Sequence, residues 1–304
     1  MQFVYSPRYF ADYGPHVFPI VKYQRVANAL RQAQIPEAAF VEPDPATCGQ
    51  ILRVHTKAYL DDLQHCRWSE QTEYSELPLT PEIVRLFLLF AGGTIQATTL
   101  ALKDGAAVHL GGGFHHAFAE RAEGFCYLND LAIAIRNAQA EHGIQKAMII
   151  DCDLHQGNGS AHIFSDDDGV FTFSIHQECL YPEKQRSDLD IHLPNGVGDK
   201  IYLDHLHRHV PRILEEFRPE LILYQAGVDP YEHDQLGDLR LTKEGLLERD
   251  RFVFSCARER RVPIAVTLGG GYAFDTDDTV ALHLNTCLAA WKIWDSRKVH
   301  VADL

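Results

Sequence analysis

Five short apolar runs, at 106–110, 147–150, 170–175, 221–225 and 263–268, constrain this chain more than any other feature. Such runs read as strands buried on both faces of a parallel sheet. Between them lie helical patterns at 81–102, 127–142, 200–217 and 242–260, the alternation expected of right-handed βαβ units. The expected fold class is α/β, with a central, mostly parallel β-sheet carrying helices on both faces. No Ser/Gly linker, charge block or repeat divides the chain. Candidate site residues run from about position 110 to 272, so a domain boundary among them would cut the site apart. A single domain over 1–304 follows.

Four of the five runs end in a Gly, Asp or His cluster. In open parallel sheets ligands bind beyond the carboxyl ends of the strands, where loops from several strands converge. Two clusters carry chemistry. After the first run comes Gly111-Gly112-Gly113-Phe114-His115-His116, a glycine turn followed by two proton-transfer groups. After the second comes Asp151-Cys152-Asp153-Leu154-His155-Gln156-Gly157-Asn158-Gly159, in which Asp151, Asp153 and His155 fall at period-two spacing. Carboxylates and an imidazole emerging together at a strand end suit a divalent cation. Together the clusters suggest a metal-activated hydrolase.

The formal net charge of −14 and pI near 5.6 disfavour nucleic-acid binding through a basic surface and favour cationic or amine-bearing ligands. Seven cysteines, scattered and without a CxxC pair, read as reduced thiols. The first residues lack a basic and then apolar leader, and no apolar stretch is read as reaching the roughly 18 residues of a membrane span. The expected setting is the cytoplasm, with no membrane.

Two further segments complete a pattern: Ala226-Gly227-Val228-Asp229-Pro230-Tyr231-Glu232-His233-Asp234 and Leu268-Gly269-Gly270-Gly271-Tyr272. With Gly113-Phe114-His115-His116 and Asp151-Cys152-Asp153-Leu154-His155 they resemble the histone deacetylase family, of the arginase/deacetylase superfamily and fold. Gly124-Phe125-Cys126-Tyr127-Leu128-Asn129-Asp130 and His55-Thr56-Lys57-Ala58-Tyr59-Leu60 extend the resemblance over nearly the whole chain. His155-Gln156-Gly157-Asn158-Gly159, Gly92-Gly93-Thr94-Ile95 and Arg261-Val262-Pro263-Ile264 look like the class IV branch and its bacterial relatives.

The resemblance implies a zinc-dependent hydrolase of acetyl-lysine or longer acyl-lysine in a protein or peptide. Asp153, His155 and Asp234 would be the metal ligands, His116 the general base and acid, and His115 its electrostatic helper or a proton donor. Asp151 would stand behind His115. Behind His116 many members carry aspartate where this chain has Asn158, and an amide orients an imidazole without stabilising its cation. The Tyr272 hydroxyl would donate to the substrate carbonyl. Gly124 would accept from the lysine nitrogen, with Phe125 and Tyr181 as tunnel walls. Leu241 falls where polyamine deacetylases carry an acidic gatekeeper, which favours acyl-lysine over acetylpolyamine. Asp151, Asp153, His155, Ser174 and Ile175 match a structural potassium site.

Other readings stand beside this one. Two carboxylates and one imidazole also suit Fe2+, Co2+ or Mn2+. An amidohydrolase of acetylpolyamines or other small acylated amines, a non-catalytic acyl-lysine binding module, a binuclear manganese ureohydrolase and a metal-free structural protein are the alternatives.

Overall fold

The computed structural model describes residues 1–294, so the last ten residues of the expected domain, 295–304, lie outside the described residues. The strands are β1 Gln2–Val4, β2 Phe40–Val41, β3 Ala106–His109, β4 Ala147–Asp151, β5 Val170–Gln177, β6 Leu189–Leu193, β7 Leu221–Gln225 and β8 Ile264–Thr267. They form one sheet in the order β2-β1-β3-β8-β7-β4-β5-β6. Every pairing among the described strands is parallel, so the sheet is parallel throughout.

The helices are α1 Lys22–Gln32, α2 Cys48–Ile51, α3 Lys57–Gln64, α4 Pro81–Asp104, α5 Asp130–His142, α6 Asn158–Phe164, α7 Asp199–Glu216, α8 Lys243–Arg260 and α9 Thr276–Trp294. Alternate strand residues feed two cores. Met148, Ile150, Ile222 and Tyr224 join one, while Ala147, Ile149, Leu221 and Leu223 join the other, as period-two side chains on a sheet covered on both faces must.

Local chemistry sets the helix starts. Thr80, with Pro81 behind it at the first helical position, caps α4 by accepting from Ile83 N. Asn129 caps α5 by accepting from Ala132 N, so that helix begins three residues later than its apolar pattern suggests. Among the described helices α4 is long and apolar enough to cross a membrane by length and composition, which corrects the reading that no stretch reaches that length. Its apolar window is 72% buried inside the protein, where Phe87 and Phe90 pack against Phe114.

Strand register places the site. His109 pairs with Thr267, Thr267 with Gln225, Gln225 with Asp151, and Asp151 with Ser174. Four adjacent strands, β3, β8, β7 and β4, therefore stop at one level while β5 runs on to Gln177, and the turns that follow those four share one space.

Candidate active site

The His115-His116 segment leaves β3 through a loop pinned from below. Asp130, the first residue of α5, accepts Gly113 N at 3.0 Å and Phe114 N at 2.7 Å, and also receives the Thr94 hydroxyl. Gly113 has φ +86°, and a Cβ there would lie 2.7 Å from Gly269 Cα, so only glycine lets this loop touch the loop after β8. Sequence reading missed Asp130 as a site support, because its partners are backbone N–H groups of a distant segment.

Each histidine has its own partner. His115 Nδ1 lies 2.6 Å from Asp151 Oδ2, and His116 Nδ1 lies 2.8 Å from Asn158 Oδ1. Their ring centres are 4.1 Å apart, and both are buried. Burial opposes charge on His115, but Asp151 and Asp153 outweigh it and hold the ring up to about 8. Burial, then the neighbouring His115 and His155, push His116 well below the ordinary imidazole range. One ring is thus kept charged and the other neutral, the split an acid–base pair needs.

Asp153 follows the end of β4, and its Oδ2 accepts from Gln225 Nε2 at 2.7 Å and Gly270 N at 3.0 Å. His155 Nδ1 lies 3.2 Å from Asp153 Oδ1 and 3.3 Å from Asp229 Oδ2. Donor atoms of Asp153, His155 and Asp229 all fall within 4.8 Å of one another. Asp234, the carboxylate expected from the motif, stands outside this compact trio. Its oxygens accept Leu236 N at 2.9 Å and Tyr272 N at 2.7 Å, which draws it toward the backbone.

The residues fit a divalent cation. Asp229 Oδ2 is buried and accepts no hydrogen bond. Burial and then repulsion from Asp153 push Asp229 up to about 7, and burial lifts Asp234 to about 6 although Leu236 and Tyr272 N–H groups oppose it. A cation relieves such crowding of buried carboxylates, and the oxygen and imidazole donor set suits it.

A cavity of about 330 Å³ opens onto this floor. Its walls include Phe18, Phe125, Leu180, Tyr181, Leu236 and Tyr272. Phe125 stands 6.0 Å from Tyr272, and Tyr181 stands 5.5 Å from His116, between ring centres. Burial first, then Asp229 and Asp153, raise Tyr272 well above the phenol range, so its hydroxyl keeps its proton and can donate. Gly124 also lines the cavity, and its carbonyl accepts the Cys126 thiol at 3.1 Å.

One expected position differs. Leu241 is fully buried and is absent from the cavity wall, because its backbone pairs with Pro230 and Glu232; Leu236 faces the cavity instead. At the expected potassium site Asp151 Oδ1 accepts Asp153 N, and Ser174 Oγ pairs with His176 Nδ1 at 2.8 Å. Ile175 is fully buried beside them.

Comparison with known proteins decides the family. The histone deacetylase domain matches residues 16–288. The chain belongs to the histone deacetylase family. It is 35% identical over 269 residues to histone deacetylase 2 of Arabidopsis thaliana, covering 84% of this chain and 70% of that protein. It is 31% identical to a probable deacetylase of Methanothermobacter thermautotrophicus, covering 90% and 86%. The crystal structure of the HDA15 HD domain superposes with a TM-score of 0.80 at 22% identity, covering 97% of this chain and 96% of that one, which shows the shared arginase/deacetylase-like fold. As a member of the histone deacetylase family the protein is a hydrolase, of a family that is generally metal-dependent.

Proposed function

We propose that the chain is a zinc-dependent deacylase that hydrolyses the amide of Nε-acetyl-lysine, or a longer acyl-lysine, in proteins or peptides. The observation that carries this reading is the apolar sleeve of Phe18, Phe125, Tyr181 and Leu236 ending on the histidine pair and the Asp153–His155–Asp229 cluster. Such a sleeve suits an aliphatic lysine stem, which buries its methylenes and delivers the amide to the polar floor.

Asp153 and His155 would hold the cation, joined by Asp229 or Asp234. A divalent cation bound there supplies Lewis acidity and a lowered pKa for water, which Fe2+ or Co2+ would supply as well. His116, neutral and with Nδ1 engaged by Asn158, takes the water proton at Nε2 and later gives a proton to the departing amine. His115 stays protonated beside Asp151 and lends positive charge. The Tyr272 hydroxyl donates to the carbonyl oxygen as charge gathers on it. The products are the carboxylate and the free lysine amine. A potassium ion held by Asp151, Asp153, His155, Ser174 and Ile175 belongs to the same reading. The seven unpaired cysteines support a reducing, cytoplasmic setting.

The test is turnover by zinc-loaded protein on acetyl-lysine and long-chain acyl-lysine peptides, with an acetylated polyamine and a small amide alongside. Selective cleavage of acyl-lysine is expected. Preference for the polyamine would move the substrate class to small acylated amines. Tight binding without cleavage would make the chain a binding module.

A further inference from the structure

The partner of His116 is an amide, and an amide is ambiguous. Its oxygen and nitrogen occupy nearly equivalent places, so one rotamer accepts from an imidazole and the flipped one donates to it. The two orientations would select opposite imidazole tautomers, and only one leaves Nε2 unprotonated for the cavity.

A second carboxylate resolves the ambiguity. Asn158 Nδ2 donates to Glu123 Oε1 at 2.7 Å, on the side of the amide away from His116. A carboxylate only accepts, so the amide nitrogen must face Glu123 and the oxygen must face His116. The flipped amide would set its oxygen against the Glu123 oxygen. Glu123 is itself held in place, its side chain only 16% exposed and its other oxygen 3.2 Å from Arg121. The Arg121 guanidinium lies 3.4 Å from the centre of the Phe118 ring. The Glu123 backbone is closed into a turn with Cys126 through two hydrogen bonds, at 3.1 and 2.9 Å.

We propose that Glu123 is a positioning residue which, through Asn158, fixes His116 as the tautomer protonated at Nδ1 and free at Nε2. The inference rests on the proposed role of His116 as the base. The arrangement moves a carboxylate one hydrogen bond further from the imidazole, so the tautomer is set while the ring is spared a directly bonded negative charge.

Exchanging the two groups tests it. Glu123→Gln removes the bias, because an amide both donates and accepts, and should lower kcat/KM about tenfold, mainly in kcat, the scale of losing a group that orients a reacting side chain. Asn158→Asp alone sets two carboxylates against each other and should also lose about tenfold or more. The double variant Glu123→Gln/Asn158→Asp restores an acceptor toward His116 and a donor behind it, and should return to within about threefold of the wild type, well inside the product of the two losses. Losses that multiply in the double variant would overturn the proposal, as would a Glu123→Gln protein with wild-type kcat. Independently of turnover, long-range proton–nitrogen NMR of His116 should show the Nδ1–H form in the wild type and a mixture in Glu123→Gln, with His116→Gln giving the assignment. An unchanged tautomer refutes the role of Glu123. Absence of acyl-lysine cleavage by the wild type refutes the proposed function alone, since the tautomer measurement still decides the role of Glu123.

Discussion

Acid–base behaviour at single residues follows from what each touches. His116 is kept neutral by burial and then by the neighbouring His115 and His155, while the hydrogen bond with Asn158 acts in the opposite direction. A carboxylate in direct contact would stabilise the imidazolium and raise its pKa. A base must be unprotonated to act, so a higher pKa moves the acidic limb of the kcat/KM profile to higher pH. Because Glu123 sits against position 158, the clean comparison is Glu123→Gln/Asn158→Asp with the wild type. The limb should rise by about one pH unit or more on one substrate, with metal occupancy checked at each point; an unmoved or lowered limb would contradict the account. Tyr272→Phe keeps the ring between Phe18 and Phe125 and deletes the donor. It should lose about 2.7–4 kcal/mol of transition-state stabilisation. An unchanged kcat in folded, metal-replete protein would remove the hydroxyl from the mechanism. Glu123 was invisible in the sequence because 35 residues separate it from Asn158, and no spacing rule links a tunnel-loop carboxylate to a helix-start amide.

At the level of elements, the site depends on turns being tied to one another. Gln156 is fully buried and links the turn after β4 to the loop that carries Tyr181. Its Nε2 donates to Gln185 O at 2.6 Å and to Asp190 on β6 at 2.7 Å, and its Oε1 accepts Gln185 N at 2.8 Å. Gln156→Ala removes all three of these part-buried hydrogen bonds, at a cost of about 1–3 kcal/mol. That loss falls on the wall of the cavity, so KM should rise about tenfold while kcat changes much less. A KM equal to that of the wild type would show the loop to be held by other contacts. The same scale explains which elements were readable. β3, β4, β7 and β8 are buried along their whole length and appear as apolar runs. β1 and β2 have three and two residues, and β6 is an edge strand with exposed positions, so none carries a continuous apolar signal.

For the whole molecule, the buried carboxylates bind folding to the cation. Asp153, His155 and Asp229 come from two separate turns, so an ion that holds them favours the folded chain by mass action. Thermal unfolding should move upward as Zn2+ is added to metal-stripped protein, reaching about 2.7 kcal/mol of added stability at a hundredfold excess over Kd. A midpoint indifferent to the metal would argue against a site formed by folding. Metal content also separates the two candidate ligand sets: Asp153→Ala and His155→Ala should both empty the site. If Asp229 is the third ligand, Asp229→Ala should empty it too and Asp234→Ala should leave it largely filled; the reverse pattern would restore Asp234. The sequence by itself determined the strand and helix alternation, the parallel sheet, the histidine pair and the Asp153–His155 cluster, because each is written in local periodicity or in a short contiguous motif. Only the tertiary structure decided that Asp229 crowds the cluster, that Leu236 rather than Leu241 faces the cavity, and that Glu123 stands behind Asn158. Those choices depend on how separate strand ends align at one level and where backbone N–H groups draw each carboxylate, and neither is encoded in the spacing of residues along the chain.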